Sequence, residues 1–477
     1  MIKKTVLILA ILVNIVISSK GNFIADEPSC TLKLKIKNSE GGTIFILKKE
    51  HLTGEDQTLV LSNIDKKSKF SLIKFECNSS QIVYFKFKDT SIPLFVEAGG
   101  IIHISFDATD IDHTIKYKGS NSNINSYLIA KHLKSETFFP LDLKALYSLL
   151  PEEFNRLNDL AFSELGEVYK SFVSKNKAND FFRQYDEADI FSQWAIKKMN
   201  YPDYHFHFTK EKIDTVDYYS FFNKIPLANS HGLLSDNYVR LLSMYCNFNL
   251  RKTLRKTRIS IEEEQLSYFN KKDSLVKVLF KNQDIREYFT TEVLLEYLDS
   301  GFDDIFQEKL KDAKKEISNT KYLQVAINKF TSLQEIGKGK VAPNFNFTDG
   351  NKELSLKSLQ GNIVFINIWS LNCHSSMKEL PYLQEIQKKF DKNDKIVFLN
   401  INNDNDENSL KQYLNTDSKE INGIIGNGKP QLDKSYFITN TPRYILISEQ
   451  GKIIDSFAPR PSSPQLFPLL KSLLVSN

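Results

Sequence analysis

The segment of this chain best placed to do chemistry is Trp369-Ser370-Leu371-Asn372-Cys373-His374-Ser375-Ser376-Met377-Lys378-Glu379-Leu380-Pro381. The apolar run from Ile363 to Trp369 leads almost directly into Cys373, and the residues that follow read as a helix. At a helix N-terminus the unpaired N–H groups and the dipole both favour a thiolate over a thiol. The thiolate is the attacking species in disulfide exchange, so this position lowers a cysteine pKa and raises its reactivity. Cysteine is more often a small buried hydrophobe, but a strand-to-helix turn argues against that use here. His374, the next residue, either tunes the thiolate or is simply exposed at the helix start. Ser376 reads as a helix-turn hydroxyl rather than a second nucleophile.

Two buried strands and a helix are needed to hold such a residue. The Ile363–Trp369 run has the composition of a central strand covered on both faces. The helix begun near Cys373 continues from Pro381 to Phe390, and Lys395 to Ile401 reads as a second buried strand. Tyr444–Ser448 and Lys452–Ile454, joined by Glu449-Gln450-Gly451, form a hairpin, and Gln465 to Leu474 a terminal helix. This order is an α/β layout over residues 338–477.

Upstream, residues 28–118 alternate with period two, as in Thr31-Leu32-Lys33-Leu34-Lys35-Ile36-Lys37, and carry turns at Gly41-Gly42 and Gly99-Gly100. They predict a small antiparallel β-sandwich or barrel. Residues 120–335 switch to helical spacing. Pro151-Glu152-Glu153 opens one helix, Asn179 to Met199 and Tyr238 to Leu250 give two more, and a series covers Ser260 to Ile317. This helical block reads as a spacer or a partner surface. Glu335 to Lys340 reads as a flexible polar linker.

On these residues the chain resembles the TlpA/ResA-type thiol-disulfide oxidoreductases, exported thioredoxin-like proteins related to the alkyl hydroperoxide reductase/redoxin group. Their motif, Trp-Ala-x-Trp-Cys-x-x-Cys followed after two residues by Glu-x-Pro, is met at Trp369, Cys373, Glu379 and Pro381. Val341-Ala342-Pro343-Asn344-Phe345 matches the family's Ala-Pro-x-Phe approach. Thr441-Pro442-Arg443-Tyr444 matches the segment whose proline is cis and faces the reactive sulfur. Ala458-Pro459-Arg460-Pro461-Ser462 resembles the tail of versions in which a small β-domain of unknown function precedes the helical part. The resemblance implies a thioredoxin-like fold for 338–477, with Cys373 as nucleophile and Trp369 and Pro442 shaping a docking groove. It also implies His374 and the helix N-terminus as stabilisers of the thiolate.

The departures carry as much weight. Ser376 stands where the family has its second cysteine, and Asn372 where it often has tryptophan. A dithiol site attacks with one sulfur and resolves the mixed disulfide with the other. A serine hydroxyl cannot resolve it, so an internal 373–376 disulfide cycle is excluded. Of the four cysteines, Cys30 and Cys77 lie in the β-region and are candidates for a structural disulfide. Cys246 lies in a predicted helix and reads as a small buried hydrophobe. A peroxidase reading fails on Ile366 and Ser370, which occupy the places of the upstream proline and threonine.

Other features narrow the class. The chain has 477 residues, 41% hydrophobic and 25% charged, which gives room for several ordinary globular cores. A net charge of +5 over this length does not point to nucleic acid. Residues 1–21, with Lys3 and Lys4 before the apolar run Thr5 to Ile17, read as a secretory signal, with an uncleaved membrane anchor as the alternative. No later stretch is apolar enough to span a bilayer. Export would place the thiols in an oxidising compartment, the periplasm or cell envelope. His205-Phe206-His207, on a strand-like or loop segment, is weak metal evidence without further ligands, and Asp404 to Glu407 reads as a solvated loop. No metal or cofactor is expected. The expected partners are envelope protein thiols or disulfides reached through Cys373. The alternative is a non-catalytic partner-binding module on a degenerate thioredoxin fold.

Overall fold

A computed structural model describes residues 28–475 except 67–69, 139–141, 177–178, 255–260, 302–303, 350–351, 391–394, 405–409, 411–412, 414–423 and 428. The expected signal segment, residues 1–21, lies outside the described residues.

The N-terminal part contains β1 (Ser29–Lys37), β2 (Gly42–Glu50), β3 (Glu55–Ile64), β4 (Phe70–Glu76), β5 (Gln81–Phe87), β6 (Thr90–Val96), β7 (Ile101–Asp107) and, after the short α1 (Ile111–Thr114), β8 (Lys116–Gly119). They form two four-stranded sheets, ordered β4-β1-β7-β8 and β3-β2-β5-β6. Alternate residues of each sheet, among them Leu32, Leu34, Ile104, Ile46 and Phe85, meet in one apolar cluster. Not every pair is antiparallel as expected: β1 and β7 run parallel, with Leu32 opposite Ile102. The chain passes through the second sheet between these two strands. A parallel pair needs such a long crossover rather than a hairpin, and a two-residue alternation does not record it.

The helices are α2 (Ser122–Phe138), α3 (Leu143–Tyr147), α4 (Pro151–Lys175), α5 (Asp180–Thr209), α6 (Asp236–Leu254), α7 (Ile261–Leu279), α8 (Gln283–Asp299), α9 (Asp304–Glu316) and α10 (Thr320–Gln334). Asn179, Asn282 and Asn319 cap α5, α8 and α10 through their side chains. The His205–His207 segment is helical, not strand-like or looped, because α5 runs on through Pro202. Proline removes the N–H that would bond the carbonyl four residues back. Here the Tyr218 hydroxyl donates to that carbonyl, Lys198 O, at 3.0 Å.

The C-terminal part is an α/β layer. Its elements are β9 (Asn346–Asp349), β10 (Lys352–Ser355), β11 (Ile363–Trp369), α11 (His374–Lys389), β12 (Ile396–Asn402), β13 (Ile424–Asn427), α12 (Lys429–Tyr436), β14 (Arg443–Ile447), β15 (Ile453–Asp455) and α13 (Leu466–Val475). The sheet order is β10-β9-β13-β12-β11-β14-β15, with β11 parallel to β12 and antiparallel to β14. Every residue of β11 is buried. Its alternate side chains explain the continuous apolar run. Ile363, Phe365 and Trp369 pack with Leu380 and Leu383 of α11 and Leu466 and Leu470 of α13. Val364, Ile366 and Ile368 join the cluster that also holds Tyr288, Leu294 and Leu298 of α8.

The chain divides into two compact units. One holds the N-terminal strands with α2 and the end of α4. The other holds the remaining helices together with the α/β layer. The segment read as a flexible linker is pinned in the second unit: Ile336 is buried, Gly339 N donates to Ile453 O at 2.7 Å, and Ile453 N to Lys340 O at 2.8 Å.

Candidate active site

Parallel pairing brings the C-terminal ends of β11 and β12 to the same edge of the sheet, the usual place for a site in an α/β fold. Trp369 and Asn402 are opposite each other, so the Cys373 loop and Asp404 leave the sheet side by side. Asp404 accepts from Ser370 Oγ and Leu371 N, each at 2.6 Å, from Asn402 Nδ2 at 2.9 Å and from Asn372 Nδ2 at 3.3 Å. Burial raises the Asp404 carboxyl, but these hydrogen bonds outweigh it and hold the group below the usual carboxylate range. The carboxylate therefore clamps the turn that presents the cysteine.

Cys373 is the N-cap of α11, in extended backbone, and its carbonyl accepts from Met377 N at 3.0 Å. The half-buried thiol donates to Thr441 O at 3.1 Å. The next peptide bond, Thr441–Pro442, is cis. Partial burial raises the thiol pKa. The Ser376 hydroxyl, the Ser376 N–H, the Thr441 side chain and the Ser375 N–H lower it by more, so Cys373 lies below its ordinary value. In the thiol geometry Ser376 Oγ is buried and has no hydrogen-bond partner. An ionised sulfur supplies the acceptor that this hydroxyl lacks.

The other expected residues fall in different places. Trp369 is fully buried behind the turn, its ring 5.9 Å from Tyr413, so it shapes the groove only from beneath. His374 is exposed at the first helical position. The largest favourable interactions at the sulfur come from Ser376, Thr441 and Ser375. Glu379 is buried on α11 and accepts from Ser462 N and Ser462 Oγ, both at 2.8 Å, which ties the Ala458–Ser462 tail to the helix. Cys246 sits on α6 in the helical core with no exposed surface, and burial pushes its thiol up to about 11.

Cys30 on β1 and Cys77, one residue past the neighbouring β4, are both free thiols, so the expected disulfide is absent from this structure. Cys30 is opposite Phe75, two residues from Cys77, which places the two cysteines diagonally rather than face to face. Cys77 Sγ donates to Ser79 O at 3.3 Å and accepts from Gln81 Nε2 at 3.5 Å.

Asp404, expected in a solvated loop, is instead engaged by the Cys373 turn. Its signal was its position two residues past the end of the strand paired with β11. Arg443, directly after Pro442, was not expected at the site. It is 8% exposed, and its Nε donates to Ser456 O at 2.8 Å.

Residues 337–468 match the Redoxin family model. The C-terminal region is a redoxin domain. It is 29% identical over 145 residues to the thiol-disulfide oxidoreductase ResA of Bacillus thuringiensis subsp. konkukian, an alignment covering 30% of this chain and 83% of that protein. It is 27% identical to the thioredoxin-like protein YneN of Bacillus subtilis, over 26% of this chain and 74% of that one. The thioredoxin domain of a thiol-disulfide oxidoreductase from Bacteroides vulgatus is 25% identical, aligned over 28% of this chain and 96% of its own, with a TM-score of 0.25. No helix among the described residues is long and apolar enough to cross a membrane.

Proposed function

We propose that the redoxin domain carries out thiol–disulfide exchange through Cys373 alone. The Cys373 thiolate attacks a disulfide of a partner protein. A bond forms between Cys373 Sγ and one partner sulfur, and the partner's S–S bond breaks. The other sulfur leaves with the electron pair as a thiolate. A thiol from outside the site then attacks the mixed disulfide and releases Cys373, because position 376 offers only a hydroxyl. The observation that carries this reading is the half-buried Cys373 sulfur at the start of α11, lowered from its ordinary pKa by Ser375, Ser376 and Thr441.

In this proposal residues 1–21 direct export and the partners are thiols or disulfides of envelope proteins. Residues 28–118 form a β-sandwich, 120–335 a helical domain, and 338–477 the thioredoxin-like domain with Pro442 beside the sulfur. The exchange uses no cofactor and no metal.

Two measurements test it. Iodoacetamide should alkylate Cys373 faster than a free model thiol at neutral pH; an equal or lower rate overturns the proposal. Ser376→Cys should create a working pair that reduces insulin, while the wild type barely does. A folded, inert Ser376→Cys variant would show that the site no longer holds exchange geometry. A second reading, a non-catalytic partner-binding module, is favoured by one observation: Cys246, the other cysteine of the same unit, is sealed in the helical core and cannot resolve Cys373. A Cys373→Ser chain that keeps full cellular function would support it.

A further inference from the structure

The redoxin domain and the helices of its unit line an open cleft of about 1010 Å³ that reaches Ser375 and Pro442, close to Cys373. The helical side contributes Leu254, Tyr268, Phe269 and Asp299, and the redoxin side Ser375, Lys378, Pro442, Arg443 and Arg460. The lining mixes apolar rings, such as Tyr268, Phe269 and Phe457, with six charged side chains.

The charges are not evenly used. Three carboxylates line the cleft, and each is engaged from within the protein. Asp299 accepts from Lys329 Nζ and Thr439 Oγ1, both at 2.6 Å. Glu379 holds Ser462, and Asp455 accepts from Phe457 N at 2.8 Å. None of the three cations forms an ion pair among the described residues, and Arg443 is held only through Nε, which donates to Ser456 O at 2.8 Å. Lys378 and Arg460 are exposed and form no ion pair among the described residues. Arg443 is almost fully buried, its guanidinium carbon 3.0 Å from the centroid of the Phe457 ring. Its Nη2 has no hydrogen-bond partner. A guanidinium remains charged at neutral pH and presents a fork that fits a carboxylate. Burying one with its Nη2 unpaired costs stability, which an incoming anion would offset. Asp299 and Asp455 act on Arg443 only through space and favour its charged form against burial.

Arg443 follows Pro442, and the preceding Thr441 carbonyl touches the Cys373 sulfur at 3.1 Å. Two residues of extended chain span about 7 Å. A peptide with its cysteine sulfur at Cys373 therefore brings its adjacent residues to the Arg443 region. We propose that this cleft docks an extended, cysteine-bearing segment of a partner protein that carries an acidic side chain next to the reacting cysteine, with Arg443 as the carboxylate-binding residue. The inference rests on the exchange role of Cys373 and adds its substrate preference.

The test uses two synthetic peptides, each with a single cysteine as its 2-thiopyridyl disulfide and flanked on both sides by either glutamate or glutamine. Attack by the Cys373 thiolate forms a Cys373–peptide disulfide and breaks the peptide–pyridyl S–S bond. The leaving sulfur takes the electron pair and, with a proton, becomes 2-thiopyridone, whose release is followed by absorbance. Rates are divided by those of 2-mercaptoethanol with the same peptides.

The wild-type chain should prefer the glutamate peptide by about tenfold, the scale of one charge-assisted hydrogen bond. Arg443→Gln should abolish the preference and Arg443→Lys should keep part of it. Lys378→Gln and Arg460→Gln should each reduce it by less than about twofold, as expected of exposed charges. Equal rates for the two peptides with wild-type protein, both faster than mercaptoethanol, overturn the acidic preference and leave the exchange role standing. Failure to outpace mercaptoethanol with either peptide overturns the exchange role itself. A preference lost in Lys378→Gln or Arg460→Gln but intact in Arg443→Gln removes Arg443 from the site. If Arg443→Gln does not fold, the wild-type ratio and the two surface variants still decide the matter.

Discussion

Ser376→Ala isolates one contribution to the reactivity of Cys373. The hydroxyl is buried, has no partner while the sulfur is a thiol, and gives the largest favourable interaction with the thiolate. A net hydrogen bond to a charged group is worth about 1.5–3 kcal/mol. The sulfur is half-buried and partly screened, so we take about 1.4 kcal/mol, which corresponds to a rise of about one in the thiol pKa. Below both pKa values the thiolate population then falls about tenfold. The more basic thiolate is intrinsically more nucleophilic by about threefold, given a Brønsted slope of ~0.4–0.5. The net expectation is alkylation about threefold slower in that range, a later inflection and a higher plateau at alkaline pH. Rates of iodoacetamide modification across pH measure this directly, since Cys30, Cys77 and Cys246 are buried. An inflection that stays in place or moves to lower pH refutes the reasoning. Stability supplies an independent check. The Cys373 pKa is depressed on folding, so the thiolate stabilises the fold above the unfolded-chain pKa, and that contribution is lost as pH falls through the folded value. On the acid side of the folded pKa the variant should therefore be at least as stable as wild type, because no hydrogen bond is lost there and a buried unpartnered hydroxyl is removed. The variant should fall behind only on the alkaline side.

Asp404→Ala leaves Leu371 N and the Ser370 hydroxyl without their acceptor, and should cost about 2 kcal/mol in denaturant unfolding and slow Cys373 alkylation. An unchanged alkylation profile would show that the clamp does not position the cysteine. Because the Asp404 carboxyl is held low, its contribution to wild-type stability should be present at neutral pH and fade as pH drops through that low value. Tyr218→Phe removes the donor to the Lys198 carbonyl that Pro202 leaves free, and should destabilise the helical part by about 1–3 kcal/mol in thermal or denaturant melts. A variant as stable as wild type would mean that water serves that carbonyl equally well.

How much of this was legible in the chain depended on whether the relevant signal is local. The β11 strand announced itself through seven consecutive residues that are all buried, and the start of α11 through the turn that ends at Cys373. Helix starts were legible where asparagine or proline marks them, as at Asn179 and Pro151. The end of α5 was not, since proline normally stops a helix and the hydroxyl that compensates comes from Tyr218, sixteen positions further on. The parallel β1–β7 pair was equally hidden: the alternation in Thr31–Lys37 specifies which face is buried but not the direction of a neighbour seventy residues away.

The same distinction applies at the site. Cys373 and Ser376 are the first and last of four positions in one motif, and their types alone excluded an internal disulfide. Asp404, just past β12, and Arg443, on β14, come near that motif only because β12 and β14 flank β11. Their identities carry no local mark: an aspartate after a strand reads as solvated, and an arginine within Thr-Pro-Arg-Tyr reads as strand surface. Once the resolving cysteine is replaced by Ser376, however, these distant residues acquire more weight. A dithiol site ends each encounter by its own second sulfur, so the partner is held only briefly. A monothiol site keeps the mixed disulfide until an external thiol reaches it, so in the proposed exchange its lifetime depends on access through the cleft beside Pro442 and Arg443. In the proposed exchange, serine at position 376 thus transfers control of turnover from the motif that the sequence displays to the walls that only the fold assembles.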